Sequence, residues 1–244
     1  MRTLIISDIH ANLTARKAVL EDAKPYDQVW CLGDVIGYGP DPNECVELLR
    51  TINPLKCIKG NHDAAILGEI DIGAFNYEAQ ASLRWLRSEI RQGNLRWLRN
   101  LEESLAFDEV TLVHGSPRNP IWEYLMDPLL ARENMRAFST KVCLVGHTHI
   151  PCVFHVEDEP SQSTKLYTMS AGDTFTPENK AIINPGSVGQ PRDNDPRSSY
   201  MIYDDEEEAR WEFYRVSYDI EKVAKRIMAA GLPHRHATRL AKGW

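Results

Sequence analysis

The amino-acid sequence predicts an α/β protein arranged as a layered sandwich. In the first part of the chain, short apolar runs alternate with segments of helical length, whereas the apolar runs of the second part follow one another directly. Alternation with helices is typical of parallel strands, and direct succession is typical of antiparallel strands. One regular doubly wound sheet would need the alternation throughout, so a layered sandwich is favoured.

Ten short apolar runs are predicted as β-strands, at 3–7, 28–32, 55–59, 109–113, 142–145, 151–156, 165–169, 181–183, 199–203 and 210–216. Helices are predicted at 13–23, 42–51, 77–90, 131–138 and 219–230. The last helix is expected to end at Gly231, shortly before Pro233, a common pattern at a helix C-terminus. The 244 residues contain neither internal repeats nor a low-complexity linker. We therefore predict one domain over residues 1–244, because a chain of this length can enclose a full core.

Composition and charge narrow the class of protein. Hydrophobic residues make up 43% of the chain and charged residues 26%, as in soluble globular proteins. No apolar run is long enough to cross a bilayer, and the first residues lack the apolar stretch of a signal peptide. The five cysteines form no CxxC pair, which fits reduced thiols in the cytoplasm. The net charge of -7 gives no general attraction for nucleic acid or for an anionic membrane.

Polar, metal-capable side chains follow each of the first five predicted strands, at the point where the strand ends. They are Asp8 and His10, Asp34, Asn61 with His62 and Asp63, His114, and His147 with His149. The carboxyl ends of strands form the edge at which open α/β sheets bind their ligands. Five of the eight histidines occupy these strand ends, which histidines used only for packing would not do. The sequence therefore predicts one shared site at this edge.

The number of these side chains favours two metal ions over one. Even seven of these side chains exceed the number of ligands that a single tetrahedral or octahedral ion uses, but seven suit two ions that share a carboxylate. Two divalent ions carry four positive charges, of which Asp8 and Asp34 cancel two, and the remaining charge can hold a hydroxide and a phosphate. A pair of ions about 3.5–4 Å apart is the arrangement expected for attack at phosphorus.

The ordered motifs DxH, GDxxGYGP, GNHD, VHGSP and GHTH resemble those of the calcineurin-like metallophosphoesterase superfamily, and most of all its small bacterial and archaeal phosphodiesterase-type branch. The resemblance runs from Asp8 to the segment IINPGSVGQPRD at 182–193. It implies a four-layer α/β/β/α sandwich of two mixed sheets flanked by helices, with a dinuclear metal site. It further implies a metal-dependent phosphoric ester hydrolase, a phosphodiesterase or a phosphatase, that acts on a small phosphorylated or nucleotide substrate.

The resemblance implies two ligand sets joined by one carboxylate: Asp8, His10 and His149 for one ion, Asn61, His114 and His147 for the other, and Asp34 as the bridge. The ions would be Mn, Fe, Zn, Co or Ni, because mixed nitrogen and oxygen ligands admit all of them. A metal-bridging hydroxide would attack the phosphorus. His62 would stabilise the phosphoryl oxygens and act as the general acid for the leaving group, with Asp63 as a candidate for the carboxylate that raises its pKa.

Two histidines of the GHTH motif raise a separate expectation. His147 and His149 are two positions apart, so in an extended chain their side chains would point to the same side. The resemblance nevertheless assigns them to different ions. Their spacing would then reflect the gap between two metals and not the geometry of one.

Three further residues are candidates for substrate binding. Ser187 and Arg192, in the segment 182–193, and Arg118, just after HGSP, could each reach a phosphate. The alternative for the segment 182–193 is a glycine-rich turn that only closes over the site, and this alternative is favoured.

The segment after Asp34 bears on the type of substrate. The protein-phosphatase branch of the superfamily carries an Asp-Arg pair where this chain has Gly37 and Tyr38. The missing arginine removes a phosphate clamp, and the missing aspartate removes the usual orienting partner of the histidine. Hydrolysis of phosphoproteins is therefore disfavoured.

Two other features have simpler interpretations, which are favoured. The stretch 84–99 interleaves arginines with tryptophans, as a nucleic-acid surface would, but an amphipathic helix pair with exposed arginines explains it as well. It belongs to a helical insertion at about 66–105 that we expect near the entrance to the site. His234 and His236 repeat the HxH spacing without a strand before them, so they are expected to be surface residues of the tail.

Two functions are consistent with these observations. The leading one is a dinuclear metal-dependent phosphoesterase, and the alternative is a non-catalytic metal-binding scaffold of the same fold that acts in protein assembly. His62 and all seven ligand positions are present, which favours the enzyme. Neither function requires nucleic acid or a membrane, and the sequence permits a homo-oligomer.

Overall fold

The computed structural model describes residues 1–158, 160–206 and 210–244, which form two mixed sheets flanked by helices. The predicted four-layer α/β/β/α sandwich is confirmed. The strands are β1 Arg2–Ile6, β2 Gln28–Cys31, β3 Leu55–Cys57, β4 Ser104–Phe107, β5 Val110–Val113, β6 Val142–Leu144, β7 Cys152–Asp158, β8 Ser163–Thr168, β9 Thr174–Phe175, β10 Ala181–Asn184, β11 Ser198–Asp204 and β12 Arg210–Val216.

The α-helices of the described residues are α1 Leu13–Asp22, α2 Pro42–Arg50, α3 Asn61–Leu67, α4 Tyr77–Glu89, α5 Gln92–Arg99, α6 Pro128–Asn134, α7 Ile220–Ala229 and α8 His234–Lys242. A short 3₁₀ helix, Ile72–Ala74, precedes α4. None of these helices is long and apolar enough to cross a membrane.

Strand order explains why the motifs meet. The first sheet has the order β3-β2-β1-β11-β12-β9, and the second has the order β4-β5-β6-β10-β7-β8. Strands β1, β2 and β3 are parallel, and so are β5, β6 and β10, whereas the other pairs are antiparallel. Parallel neighbours end at the same edge of a sheet, so the loops after β1, β2 and β3 lie together, as do those after β5 and β6.

The core lies both between the sheets and under the helices. In β1, Leu4 and Ile6 belong to the buried cluster shared with α1 and α2, while Ile5 belongs to the cluster between the two sheets. This alternation follows the two-residue period of a strand. A third buried cluster joins β5, β6 and β10 to α6. The central strands are therefore packed on both faces, which gives the loops at their ends a rigid base.

The structure corrects several predicted elements. The sequence patterns miss α3, α8, β4 and β9, and α6 covers 128–134 where 131–138 was predicted. Asp127 caps α6 with its side chain and Pro128 occupies the first turn, a start signal that the apolar pattern alone did not reveal. Strand β4 alternates exposed and half-buried residues at the edge of its sheet, so it lacks the continuous apolar run of a central strand.

Candidate metal centre

Five residues of the predicted site have a left-handed backbone conformation, with positive φ. Asp8, His10 and Asp34 have φ values of 52°, 47° and 49°, and His147 and His149 both have φ of 64°. This conformation costs a non-glycine residue roughly 1–3 kcal/mol and concentrates at functional sites. The expectation that His147 and His149 share one side of an extended chain is therefore wrong, because both lie in a tight turn after β6.

The first ligand set meets at a point between β1 and β6. The Nε2 atoms of His10 and His149 are 3.0 Å apart, and Asp8 Oδ1 lies 3.2 Å from His149 Nε2 and 3.7 Å from His10 Nε2. The second carboxylate oxygen, Asp8 Oδ2, accepts hydrogen bonds from Ser7 Oγ at 2.6 Å and from the backbone N–H of His147 at 3.1 Å. Asp8 is thus held by one oxygen and presents the other to the two imidazoles.

The hydrogen bonds behind these imidazoles point their lone pairs at each other. His10 Nδ1 lies 3.3 Å from the carbonyl of Ile36, and His149 Nδ1 lies 2.5 Å from the carbonyl of Gln190. A carbonyl only accepts, so each Nδ1 carries the proton and each Nε2 carries a lone pair. Burial lowers the pKa of both imidazoles, which disfavours doubly protonated rings. Two lone pairs and the buried Asp8 Oδ1, which has no hydrogen-bond partner among the described residues, therefore face one point, an arrangement that a metal cation fits.

The second ligand set lies at the ends of β3, β5 and β6. His114 Nε2 is 3.0 Å from Asn61 Oδ1, and His114 Nδ1 donates to the carbonyl of Leu32 at 2.8 Å. Against the effect of burial, the charge of Asp34 raises the pKa of His114 to about 10, so Nε2 would release a proton when it binds a metal. His147 is oriented in the opposite sense. Its Nε2 lies 3.1 Å from the carbonyl of Trp122, which leaves Nδ1 as the nitrogen that can bind a metal.

Asp34 lies between the two sets. Its Oδ2 is 3.6 Å from His10 Nε2 and 3.4 Å from His114 Nε2, so a single oxygen faces a histidine of each set. Its Oδ1 accepts the backbone N–H of His62 at 2.8 Å, which fixes the carboxylate. Potential ligand atoms of Asp34, His114 and His147 lie within 4.8 Å of one another.

His62 is a buried imidazole that packs against the first ligand set. Its ring centroid is 4.9 Å from that of His10, 4.5 Å from that of Tyr38 and 5.0 Å from that of Phe75. Burial, opposed by the charge of Asp34, lowers the pKa of His62 to about 4. Within the described residues, its Nδ1 has no hydrogen-bond partner. Position 37 leaves no room for a side chain, because a Cβ atom there would lie 2.8 Å from His62 Nδ1.

Asp63 does not provide the carboxylate suggested for His62. Its oxygens accept backbone N–H groups at 3.0–3.3 Å, those of Val35, Ile36 and Gly60. Burial, and after it the charge of Asp34, raises the pKa of Asp63 to about 7. Asp63 therefore ties the loop after β2 to the start of α3, and the candidate role as partner of His62 is corrected to this positioning role.

The segment 182–193 closes over the first ligand set. Ser187 Oγ donates to the carbonyl of Asp8 at 2.8 Å and accepts the N–H of Gln190 at 2.9 Å, so its hydroxyl is engaged with the backbone. Arg192 lies beside the set, since its N–H donates to the carbonyl of His149 at 3.4 Å. Its side chain donates from Nη2 to Gln190 Oε1 at 3.1 Å. Of the two candidates in this segment, the structure leaves a charged group near the site only at Arg192.

Arg118 is engaged elsewhere. Its guanidinium forms ion pairs with Glu123 at 2.7 Å and with Glu133 at 2.6 Å. Two carboxylates neutralise its charge, so the guanidinium is not free to bind a phosphate in this conformation.

His236 overturns the expectation of a surface tail. It lies on α8, is only 1% exposed, and its Nε2 is 2.7 Å from Ser82 Oγ. Its ring centroid is 4.9 Å from that of Tyr38, which in turn packs on His10. His234 is exposed, as expected. The HxH spacing alone could not reveal this, because the burial of His236 depends on α8 folding back against α4.

Comparison with known proteins agrees with this geometry. The family model for the calcineurin-like phosphoesterase superfamily domain matches residues 1–208, which include all the candidate ligands. The crystal structure of a metallophosphoesterase from Sphaerobacter thermophilus is 44% identical with a TM-score of 0.91, and the match covers 100% of this chain and 99% of that chain. An uncharacterised protein of Methanocaldococcus jannaschii is 38% identical over 98% of this chain and 97% of its own length.

A more distant relative has a named activity. A symmetrical bis(5'-nucleosyl)-tetraphosphatase of Ectopseudomonas mendocina is 30% identical over 62% of this chain and 55% of that protein. This chain thus matches about half the length of that relative.

Proposed function

Because this chain belongs to the calcineurin-like phosphoesterase superfamily, and is thereby a metal-dependent phosphoric ester hydrolase, we propose that it works with two divalent ions on a small nucleotide or other small phosphorylated substrate. Asp8, His10 and His149 bind one ion, and Asn61, His114 and His147 bind the other. Asp34 is shared between them.

One observation carries the proposal of two ions. The lone pairs of His10 and His149 converge with Asp8 Oδ1, while Asp34 Oδ2 faces His10 on one side and His114 on the other. One cation would satisfy the convergence of His10, His149 and Asp8 but would leave His114 and Asn61 without an ion to bind. When bound, the two ions supply an activated water for attack at phosphorus and positive charge to offset the phosphate.

His62 is proposed as the general acid of the reaction. It is held rigidly by packing against His10, Tyr38 and Phe75, and its backbone N–H is tied to Asp34. A histidine in this position can place a proton on the oxygen that leaves phosphorus. Burial lowers the pKa of the free His62 imidazole, and the negative charge of an incoming phosphate raises it again, which favours the protonated form that a general acid needs.

A nucleotide is the favoured substrate among small phosphate esters. The relative from Ectopseudomonas mendocina is named a bis(5'-nucleosyl)-tetraphosphatase, which supports a substrate that contains nucleosides and phosphates. Aromatic rings border the second ligand set, where the Tyr124 ring lies against His147 at a centroid distance of 3.7 Å and a tilt of 34°, and Tyr124 is 44% exposed. An exposed ring of this kind suits contact with a planar base.

Turnover of simple esters tests the proposal. Protein loaded with Mn²⁺, Zn²⁺, Co²⁺ or Ni²⁺ is assayed on an aryl phosphate, a bis-aryl phosphate and a symmetrical dinucleoside tetraphosphate, with metal content measured in parallel. We expect metal-dependent turnover of at least one ester. Absence of turnover with every ion at full metal occupancy would contradict the enzyme and favour the scaffold.

Gly37 offers a matched pair of variants for the space around His62. Gly37 has φ of 119°, and a Cβ atom would lie 2.8 Å from Nδ1 of both His10 and His62, whereas Gly172 has φ of 91° and nothing within 4 Å of such an atom. Gly37→Ala is expected to reduce kcat about 10- to 100-fold, because small displacements of reacting groups are costly. Gly172→Ala also places an alanine at positive φ, but away from the site and without a neighbour to crowd, and should retain wild-type kcat. Equal activity of the two variants would refute the crowding at Gly37.

A further inference from the structure

A cavity of about 390 Å³ adjoins the second ligand set. It is lined by residues of α3, of the segments 69–74 and 119–122, and by Glu103. Six of the nine lining residues are apolar, and the other three are Glu69, Glu103 and Asn119. A cavity of this size, with mostly apolar walls and a few polar groups, is typical of a site for a small organic molecule.

Two lining residues connect the cavity to the second ligand set. Ala64 lies three positions after Asn61 on α3, so the two residues are on the same face of the helix. The carbonyl of Trp122 lies 3.1 Å from His147 Nε2, and the centroid of the Trp122 ring is 6.2 Å from that of His147. The cavity therefore adjoins two of the ligands proposed for the second ion.

Aromatic rings also connect the cavity to His62. The Phe75 ring packs edge to face against His62 at a centroid distance of 5.0 Å and against Trp122 at 4.9 Å. The cavity thus lies on the side of the centre where the proposed general acid is. A group linked to a phosphate at the metal centre can extend into it.

The charges at the cavity disfavour an anion. Glu69 forms an ion pair with Lys59 at 2.9 Å, whereas the Glu103 side chain has neither an ion pair nor a hydrogen bond within the part of the chain that the structure describes. Of the described residues that line the cavity, none is a lysine or an arginine. The wall therefore repels a phosphate and suits the uncharged end of a substrate.

The polar groups of the cavity match the hydrogen-bonding edge of one base. Asn119 Oδ1 accepts the N–H of Trp122 at 3.2 Å, so its Nδ2 remains as a donor, while the Glu103 carboxylate offers two acceptor oxygens. Guanine presents the complementary set, the O6 acceptor followed by the N1–H and 2-amino donors, and a carboxylate can accept both N–H groups in parallel. Adenine has one amino donor on this edge, and its N1 lone pair would face a carboxylate oxygen.

We propose that this cavity is a base subsite that selects guanine, with Glu103 as the specificity-determining residue. The flat base lies against the Trp122 indole and the apolar wall, and the Glu103 carboxylate accepts its two N–H donors. The proposal rests on the proposed function for the position of the phosphate. It goes further, because the nucleosyl group named for the relative from Ectopseudomonas mendocina specifies no base.

Equilibrium binding of non-cleavable nucleotides tests the subsite without requiring turnover. The probes are the methylenephosphonate analogues of GMP, IMP and AMP, in which carbon replaces the ester oxygen between sugar and phosphorus. Their dissociation constants are measured by calorimetry on the full chain saturated with Mn²⁺. We expect the guanine analogue to bind about tenfold more tightly than the adenine analogue, as charge-assisted hydrogen bonds would give. The hypoxanthine analogue, which lacks the 2-amino group, should lie between them.

Glu103→Gln is expected to bring the ratio of guanine to adenine affinity close to one, because the side chain loses its charge and one of its two acceptor oxygens. The affinity for the adenine analogue should stay unchanged. The matched control is Glu102→Gln, which alters an exposed neighbour that does not line the cavity and should keep the wild-type ratio. Both variants should have the metal content of the wild type.

Ala74→Phe tests the cavity itself. Ala74 is exposed at the end of the 3₁₀ helix and lines the cavity, so a phenyl group there takes up space that a base would need. We expect both the guanine and the adenine analogue to bind about tenfold more weakly, while inorganic phosphate, which needs only the metal centre, binds as it does to the wild type.

Three results would overturn the subsite: a wild-type ratio near one, a full ratio in Glu103→Gln, or wild-type nucleotide affinity in Ala74→Phe. Failure of the proposed function is a separate result, because it is seen as lack of turnover on simple esters at full metal occupancy.

Discussion

Replacing Asp34 by asparagine is expected to remove metal from both halves of the centre and to abolish measurable turnover. One oxygen of Asp34 lies 3.6 Å from His10 Nε2 and 3.4 Å from His114 Nε2, so a single substitution affects both ligand sets. Asparagine keeps the oxygen that accepts the N–H of His62 but loses the negative charge between two cations. The measurement is the metal-to-protein ratio after desalting, which should fall from two towards zero.

Asp63→Asn is the matched control for this substitution. Asp63, in the first turn of α3, is also a fully buried carboxylate, but within the described residues its oxygens accept backbone N–H groups. We expect this variant to lose stability, by about 1–3 kcal/mol for a disrupted buried network, while it retains two ions per chain. A ratio of two in Asp34→Asn would show that the carboxylate is not shared.

His62→Ala is expected to lower kcat by about two orders of magnitude or more while both ions stay bound. The size of the effect is that of a lost general acid, and the retained metal follows because the seven proposed ligands do not include His62. Turnover of an aryl phosphate and the metal content of the same sample are measured together. The two readouts separate loss of chemistry from loss of the centre.

His155→Ala provides the control for removal of a histidine. His155 lies on β7, is half-buried, accepts the N–H of Asn179 at 3.3 Å, and packs its ring against Phe175 with a centroid distance of 5.3 Å. Its replacement should leave both kcat and metal content at wild-type values. Loss of metal in His62→Ala would place His62 among the ligands and would contradict its role as an acid.

The position of the site was predictable from local patterns. Apolar runs that end in Asp8, Asp34 and His114 are strands buried on both faces, and the helices between them make neighbouring strands parallel. Parallel strands end together, so the polar residues that follow them had to meet at one edge. The fold class followed from the same alternation of runs and from the resemblance of the motifs.

Contacts between distant segments were not predictable in the same way. The Nδ1 of His147 faces the site because its Nε2 meets the carbonyl of Trp122, which comes from another loop. His236 is buried because α8 packs against α4, where its ring bonds to Ser82, although the sequence around His236 is typical of a polar tail. Asp63 is engaged by backbone groups of a loop some 28 residues earlier in the chain. In each case the deciding atom belongs to a backbone or helix that sequence periodicity does not locate.

The central claim is that two ions occupy the centre and share Asp34. It is tested most directly by an anomalous difference map of a crystal of this protein grown with Mn²⁺. We expect two peaks, one within bonding distance of Asp8, His10 and His149 and the other within bonding distance of Asn61, His114 and His147, with Asp34 in contact with both. A single peak at full occupancy, or two peaks of which only one contacts Asp34, would contradict the claim.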